Sequence, residues 1–158
     1  MKHATLFSIT LFLSAAKLLG ATESVSLFVV YQSQNDFQST VDGVKEGIIN
    51  QGMIVRGELH IQDMLERTGG DLGFDDVVYD RATSIEFCNA NLTHQMVRLD
   101  PRNVGVCPFV ISVYKGKGQM DPVNISYRRY RLYGDAEELL ETIHALHDEI
   151  ATTAIEEW

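Results

Sequence analysis

Apolar residues recur along this chain at two periods, and the period at each place predicts the local element. Within Thr22–Tyr31, Val25, Leu27, Val29 and Tyr31 share one parity, with Phe28 and Val30 on the other, as in a largely buried strand. A polar turn at 32–35 follows, and Asn35 with Gln38 three residues later imitates a capping box. Phe37, Val41, Val44 and Ile48 then step by four, three and four, forming one apolar stripe of a helix that Gly52 can end. Met53–Ile61 alternates again, as a half-exposed strand. Gln62–Arg67 suits a single turn of helix, and the Gly- and Asp-rich run Thr68–Asp80 reads as a long loop or short hairpin.

The second half repeats the pattern. Ala82–Phe87 is a strand with Ile85 and Phe87 on one face. Asn89 or Asn91 caps a short helix striped by Leu92, Met96 and Leu99, which Asp100-Pro101 stops. Phe109, Ile111 and Val113 pair through a Gly-Lys-Gly turn at 116–118 with Val123, Ile125 and Tyr127. A last helix, Asp135–Glu149, carries Leu139, Ile143, Leu146 and Ile150. The order β-α-β-(loop)-β-α-β-β-α predicts an α+β domain, an antiparallel sheet with helices on one face.

The first residues do not fit this scheme. Met1-Lys2-His3 is basic, Ala4–Leu13 is apolar, and small residues follow at Ser14-Ala15-Ala16 and Gly20-Ala21. That order is expected of a secretory signal peptide, and its apolar run is shorter than the ~20 residues of a membrane-spanning helix. Cleavage after Ala16 or Ala21 leaves 142 or 137 residues, so residues 22–158 read as one domain. Formal charge is −9, and removing 1–21, which holds Lys2 and Lys17 but no acid, makes it −11. Such a chain is a poor match for nucleic acid, whose phosphates need clustered Lys and Arg. No second apolar run is long enough for a membrane span, and the expected location is the periplasm or another exported compartment.

Cys88 and Cys107 are the two cysteines, and in an oxidising compartment an even pair reads first as a disulfide. Three other readings stay open: a redox-active pair, thiolate ligands to copper or haem iron with His94 as a further ligand, and two free thiols. His94 and Met96 are ~200° apart on a helix, so they do not share a site, and Met96 completes the core stripe. His144 and His147 are three apart on the last helix, where His147 joins the apolar side and His144 has Glu141 and Asp148 at salt-bridge spacing. The acidic loop Asp71–Asp76 lacks the ligand series of a calcium loop. Arg128, Arg129 and Tyr130, within the basic and aromatic run Tyr127–Tyr133, mark a stripe for an anionic ligand or partner, or else a solvated edge strand. No complete catalytic motif is present.

The segment from Glu86 to Tyr114 brings in a resemblance. Tyr31 and Ser33, Phe37, Val41 and Gly52, Phe87 and Asn89, Pro108 with Phe109, Ile111, Val113 and Tyr114, then Val123, Ile125 and Tyr127 resemble the domain-of-unknown-function family 302 across Val29–Tyr130. The chain departs from it in having Cys88 after the phenylalanine, where many members have glycine, and Cys107 before the proline, where many have leucine. Ala90 replaces a usual proline. The resemblance implies an α+β fold of TATA-binding-protein-like type and admits a homodimer, and it extends to exported members with a cysteine pair. It implies no reaction. The expected role is therefore a non-enzymatic binding or interaction module, tied by Cys88–Cys107, for an undetermined periplasmic partner or small ligand, with the cofactor left open between none and copper or haem. The opposing expectation is a redox or metal-handling protein built on the same two residues.

Overall fold

The computed structural model describes residues 26–118, 120 and 122–156. The expected export segment, its expected cleavage positions and the first residues of the first expected strand lie outside these. In chain order the elements are β1 (Phe28–Ser33), α1 (Phe37–Asn50), β2 (Ile54–His60), α2 (Ile61–Leu72), β3 (Tyr79–Cys88), α3 (Ala90–Leu99), a short 3-10 helix (Pro101–Val106), β4 (Phe109–Gly116), β5 (Val123–Arg128) and α4 (Glu137–Glu156). The five strands form one sheet in the order β1-β5-β4-β3-β2, every neighbouring pair antiparallel. This is the expected α+β architecture.

Alternation decides which sheet face is covered. Ile85 and Phe87 from β3, Phe109, Ile111 and Val113 from β4, and Ile125 and Tyr127 from β5 are buried with Val41, Val44 and Ile48 of α1 and Ile143, Ile150, Ala151 and Ala154 of α4. Fully burying one such aliphatic or aromatic side chain contributes about 1.5–3 kcal/mol, so this face supplies most of the stabilisation. The opposite parity places Ser84, Ser112 and Ser126 in one cross-strand row, with the hydroxyls of Ser84 and Ser112 2.8 Å apart. Helices α1 and α4 cross closely at Gly47. A Cβ built there would lie 3.1 Å from the Ile150 carbonyl oxygen.

Four local expectations change. The cap of α1 is Asp36, not Asn35: its carboxylate accepts from the amides of Gln38 and Ser39 at 2.9 and 3.0 Å. Asn35 instead donates to the carbonyls of Ala154 and Ile155 at the end of α4. That helix runs to Glu156, past the expected Glu149, because Ile150, Ala151 and Ala154 continue its buried side. β5 is an interior strand between β4 and β1, so the arginine stripe is not an edge; the edges are β1 and β2. Finally, α2 has three turns instead of one, and absorbs Thr68–Leu72 from the expected loop.

Candidate functional site

The cysteines form a disulfide, with Cα atoms 6.2 Å apart. Cys88 closes β3 and Cys107 precedes β4, across a cis Cys107–Pro108 peptide. Their neighbours Phe87 and Phe109 are a direct cross-strand pair. The bridge therefore fixes two aromatic rings in register at the end of the sheet. His94 lies exposed on α3, while Met96, two residues on, is fully buried. Among the described residues, no group of three or more His, Cys, Asp and Glu side chains is placed to hold a metal ion.

Those two phenylalanines lead to a polar centre that the sequence did not reveal. His147 of α4 has no exposed surface, and its ring lies 4.9–5.4 Å, centroid to centroid, from those of Phe87, Phe109, Tyr127 and Tyr130. Its Nδ1 is 2.7 Å from the Ile143 carbonyl, which can only accept, so Nδ1 carries the proton. Nε2 is then the acceptor for the Tyr130 hydroxyl at 3.4 Å, and that hydroxyl in turn accepts from the Val110 amide. Burial disfavours the imidazolium and pushes His147 down to about 4, against the opposing pull of the Ile143 carbonyl. His144, one turn earlier, accepts the Tyr130 amide on Nε2, and burial lowers its pKa too. It makes this backbone bond rather than the salt bridge its spacing suggested.

One residue beyond His147, Asp148 accepts from both Tyr31 of β1 and Tyr127 of β5 on the same carboxylate oxygen, Tyr31 at 2.7 Å. Burial, reinforced by the carboxylate that holds the phenolic protons, raises both tyrosines, Tyr31 to about 12. The positive charge of Arg129 opposes that rise. So the expected Arg128–Tyr130 stripe is divided by the sheet. Arg128 ends β5 exposed, Arg129 stands beside the Tyr31–Tyr127–Asp148 group, and Tyr130 points inward to His147. Tyr133, farther along the same run, is capped by the Arg102 guanidinium at 3.8 Å.

A different surface lies beside α2. None of this helix's residues is buried, yet it is amphipathic. Leu65 and Leu72, with Phe74, Val77 and Val78 from the segment that follows, remain 40–72% exposed. They line a cavity of about 600 Å³ together with Gln62, Met64 and Tyr79. The turn that folds this segment back onto the helix is tied by the Phe74 amide to the Gly69 carbonyl at 2.9 Å, with Gly73 in the left-handed conformation.

The sequence model for the family described as "Domain of unknown function DUF302" matches residues 29–154, beyond the stretch to Tyr130 that carried the resemblance and through most of α4. The chain belongs to the DUF302 family. A crystal structure of an uncharacterized conserved DUF302 protein from Bacillus stearothermophilus superposes with a TM-score of 0.56 at 13% identity, covering 82% of this chain and 94% of that one. That likeness is one of fold. No curated protein matches the chain. Among the described residues, no helix is long and apolar enough to cross a membrane.

Proposed function

We propose that this DUF302 domain is an exported, non-enzymatic binding module whose ligand is received in the α2 groove. Residues 1–21 serve as the cleaved export segment, and Cys88–Cys107 as a structural staple. The observation that carries this reading is the amphipathic helix α2 with no buried residue, folded against its following segment around a cavity of about 600 Å³. Ligand sites are concave, largely apolar cavities of ~300–1,000 Å³, and contiguous exposed apolar surface marks sites of interaction. His144, His147 and Asp148, by contrast, already have partners within the fold. The disulfide supports export, since such bonds persist in oxidising compartments.

Two measurements test the reading. Titration with an environment-sensitive apolar dye should give saturable fluorescence that Phe74→Ser with Leu72→Ser removes at unchanged thermal stability. Absence of that signal in the unsubstituted protein sinks the groove. Intact mass of the protein from the exported compartment should show cleavage near Ala16 or Ala21 and both cysteines protected from alkylation. Mass of the uncleaved chain, or readily alkylated cysteines, would count against export and the staple.

A further inference from the structure

The charged residues that line the groove carry one sign. Of its lining residues Glu66, Asp75 and Asp76 are acidic, and no Lys or Arg lines it. Of the cations beside it, Arg67 on α2 is outside the lining, Lys117 is joined through its amide to the Val78 carbonyl at 3.2 Å, and the Arg81 guanidinium lies 4.7 Å from the centre of the Phe37 ring. The polar side chains inside are also engaged. The Gln62 amide donates to Glu66 at 2.8 Å, and the Thr68 hydroxyl donates to the Met64 carbonyl at 2.9 Å. An occupant therefore meets apolar side chains and three carboxylates, with few free hydrogen-bonding groups.

Resting on the binding-module reading, we infer that the α2 groove receives a basic amphipathic helix of a partner protein. A helix satisfies its own backbone donors and acceptors, so it needs no hydrogen bonds from the groove, and its apolar stripe can meet Leu65, Leu72 and Phe74. An extended peptide would need a free strand edge, and the groove is lined by a helix and the segment after it. Lys or Arg flanking the stripe would neutralise the three carboxylates. A second copy of this chain, with formal charge −9, brings the wrong sign, as does an anionic lipid surface. Charge of this kind acts mainly on association and specificity, with the apolar contacts supplying affinity.

The test uses the protein as exported and a labelled peptide of about 18 residues, leucines on one helical face and lysines on the other, read by fluorescence anisotropy. Saturable binding is expected, at least about tenfold tighter than for the same peptide with glutamates in place of lysines. Glu66→Gln with Asp75→Asn and Asp76→Asn should weaken it about tenfold, and added salt should weaken it further. Glu141→Gln with Glu149→Gln and Glu156→Gln, the same charge change on exposed positions of α4, should not. Equal binding of the glutamate peptide, weakened by Phe74→Ser, overturns the basic partner and leaves the groove reading intact. No binding of either peptide and no dye response overturns both. A concentration-dependent dimer dissolved by Phe74→Ser assigns the groove to a second copy. Loss of peptide binding only in the unprocessed precursor assigns it to residues 1–21. Either of these overturns the partner helix.

Discussion

Where α4 crosses β5 and β1, a buried histidine is hydrogen-bonded to Tyr130 and the adjacent Asp148 carboxylate to Tyr31 and Tyr127, and no described buried side-chain donor or acceptor lacks a partner. Beside β3, α2 keeps an apolar stripe in solvent and buries none of its residues. Both helices are amphipathic, but only α4 lies over the sheet with its stripe matched to inward-facing strand residues. The difference teaches that a polar cluster has been taken into an otherwise apolar interior with its partners supplied, while the apolar stripe of α2 has been left outside. On the proposed reading the buried polar cluster serves architecture and the exposed apolar surface serves binding, and comparing how much each region contributes to stability tests it.

The largest effect should come from the closed side. Phe109 packs edge-on or tilted against Phe87, Tyr130 and His147, so Phe109→Ala removes one wall of the histidine's cage. Chemical denaturation should show a loss of about 3–5 kcal/mol. A loss under 1 kcal/mol would mean that the cage is loosely packed and that the contrast with α2 is one of appearance.

Opening the staple should come next. Cys88→Ser with Cys107→Ser frees a loop whose ends are 19 residues apart, and the chain-entropy estimate for such a loop is about 3 kcal/mol. The double variant should unfold at correspondingly lower denaturant concentration yet keep the dye response of the α2 groove at low temperature. Unchanged stability with lost binding would reverse the assignment and place function at the cysteines.

Acid should find His147. Its folded pKa of about 4 lies below the 6.5 of an unperturbed histidine, so below pH 6.5 the unfolded chain takes up a proton that the folded one refuses. Stability from this group is complete above pH 6.5 and is lost as pH falls toward 4, by about 3 kcal/mol in all. His144 acts in the same direction, its pKa also being lowered by burial. Denaturation curves at several pH values should therefore have a steep acid limb that His147→Gln flattens more than His144→Gln does. Equal flattening by the two would show that the cage does not isolate His147 from water.

The closed region was only partly legible in the sequence. The stripes of α1 and the alternation of β3–β5 identify the inward faces, because burial and periodicity are local signals. His147 was placed among apolar residues for the same reason. Asp148 with Tyr31 was not readable, since the two lie 117 residues apart and meet only through the pairing of β1 with β5. The cap was misread by one position because Asn35 and Asp36 have equal local credentials, and the end of α4 decides between them by taking the Asn35 side chain. On the open side, Gly69 and Gly70 disguised the helix, since each glycine disfavours helix by about 1 kcal/mol relative to alanine. Gly69 is there for another reason: a Cβ would lie 2.6 Å from the Phe74 carbonyl oxygen, where the following segment folds back to form the groove. The spacing of Ile61, Leu65 and Leu72 was the signal that could have revealed α2.

The smallest effect belongs to α2 itself. Phe74 and Leu72 are 72% and 66% exposed, so their replacement by serine removes little that folding had buried. Surface substitutions of this kind stay within about 0.5 kcal/mol, and replacing exposed apolar area by hydroxyls should raise solubility. Phe74→Ser with Leu72→Ser is therefore expected to leave the midpoint of thermal unfolding within a degree or two, against the large shift for Phe109→Ala, while abolishing dye binding. If the double variant instead loses 2 kcal/mol or more, the stripe supports the packing of α2 against β3 and its exposure is structural. If stability holds and binding goes, the apolar residues of α2 serve something outside the fold, which is the distinction between the two flanks.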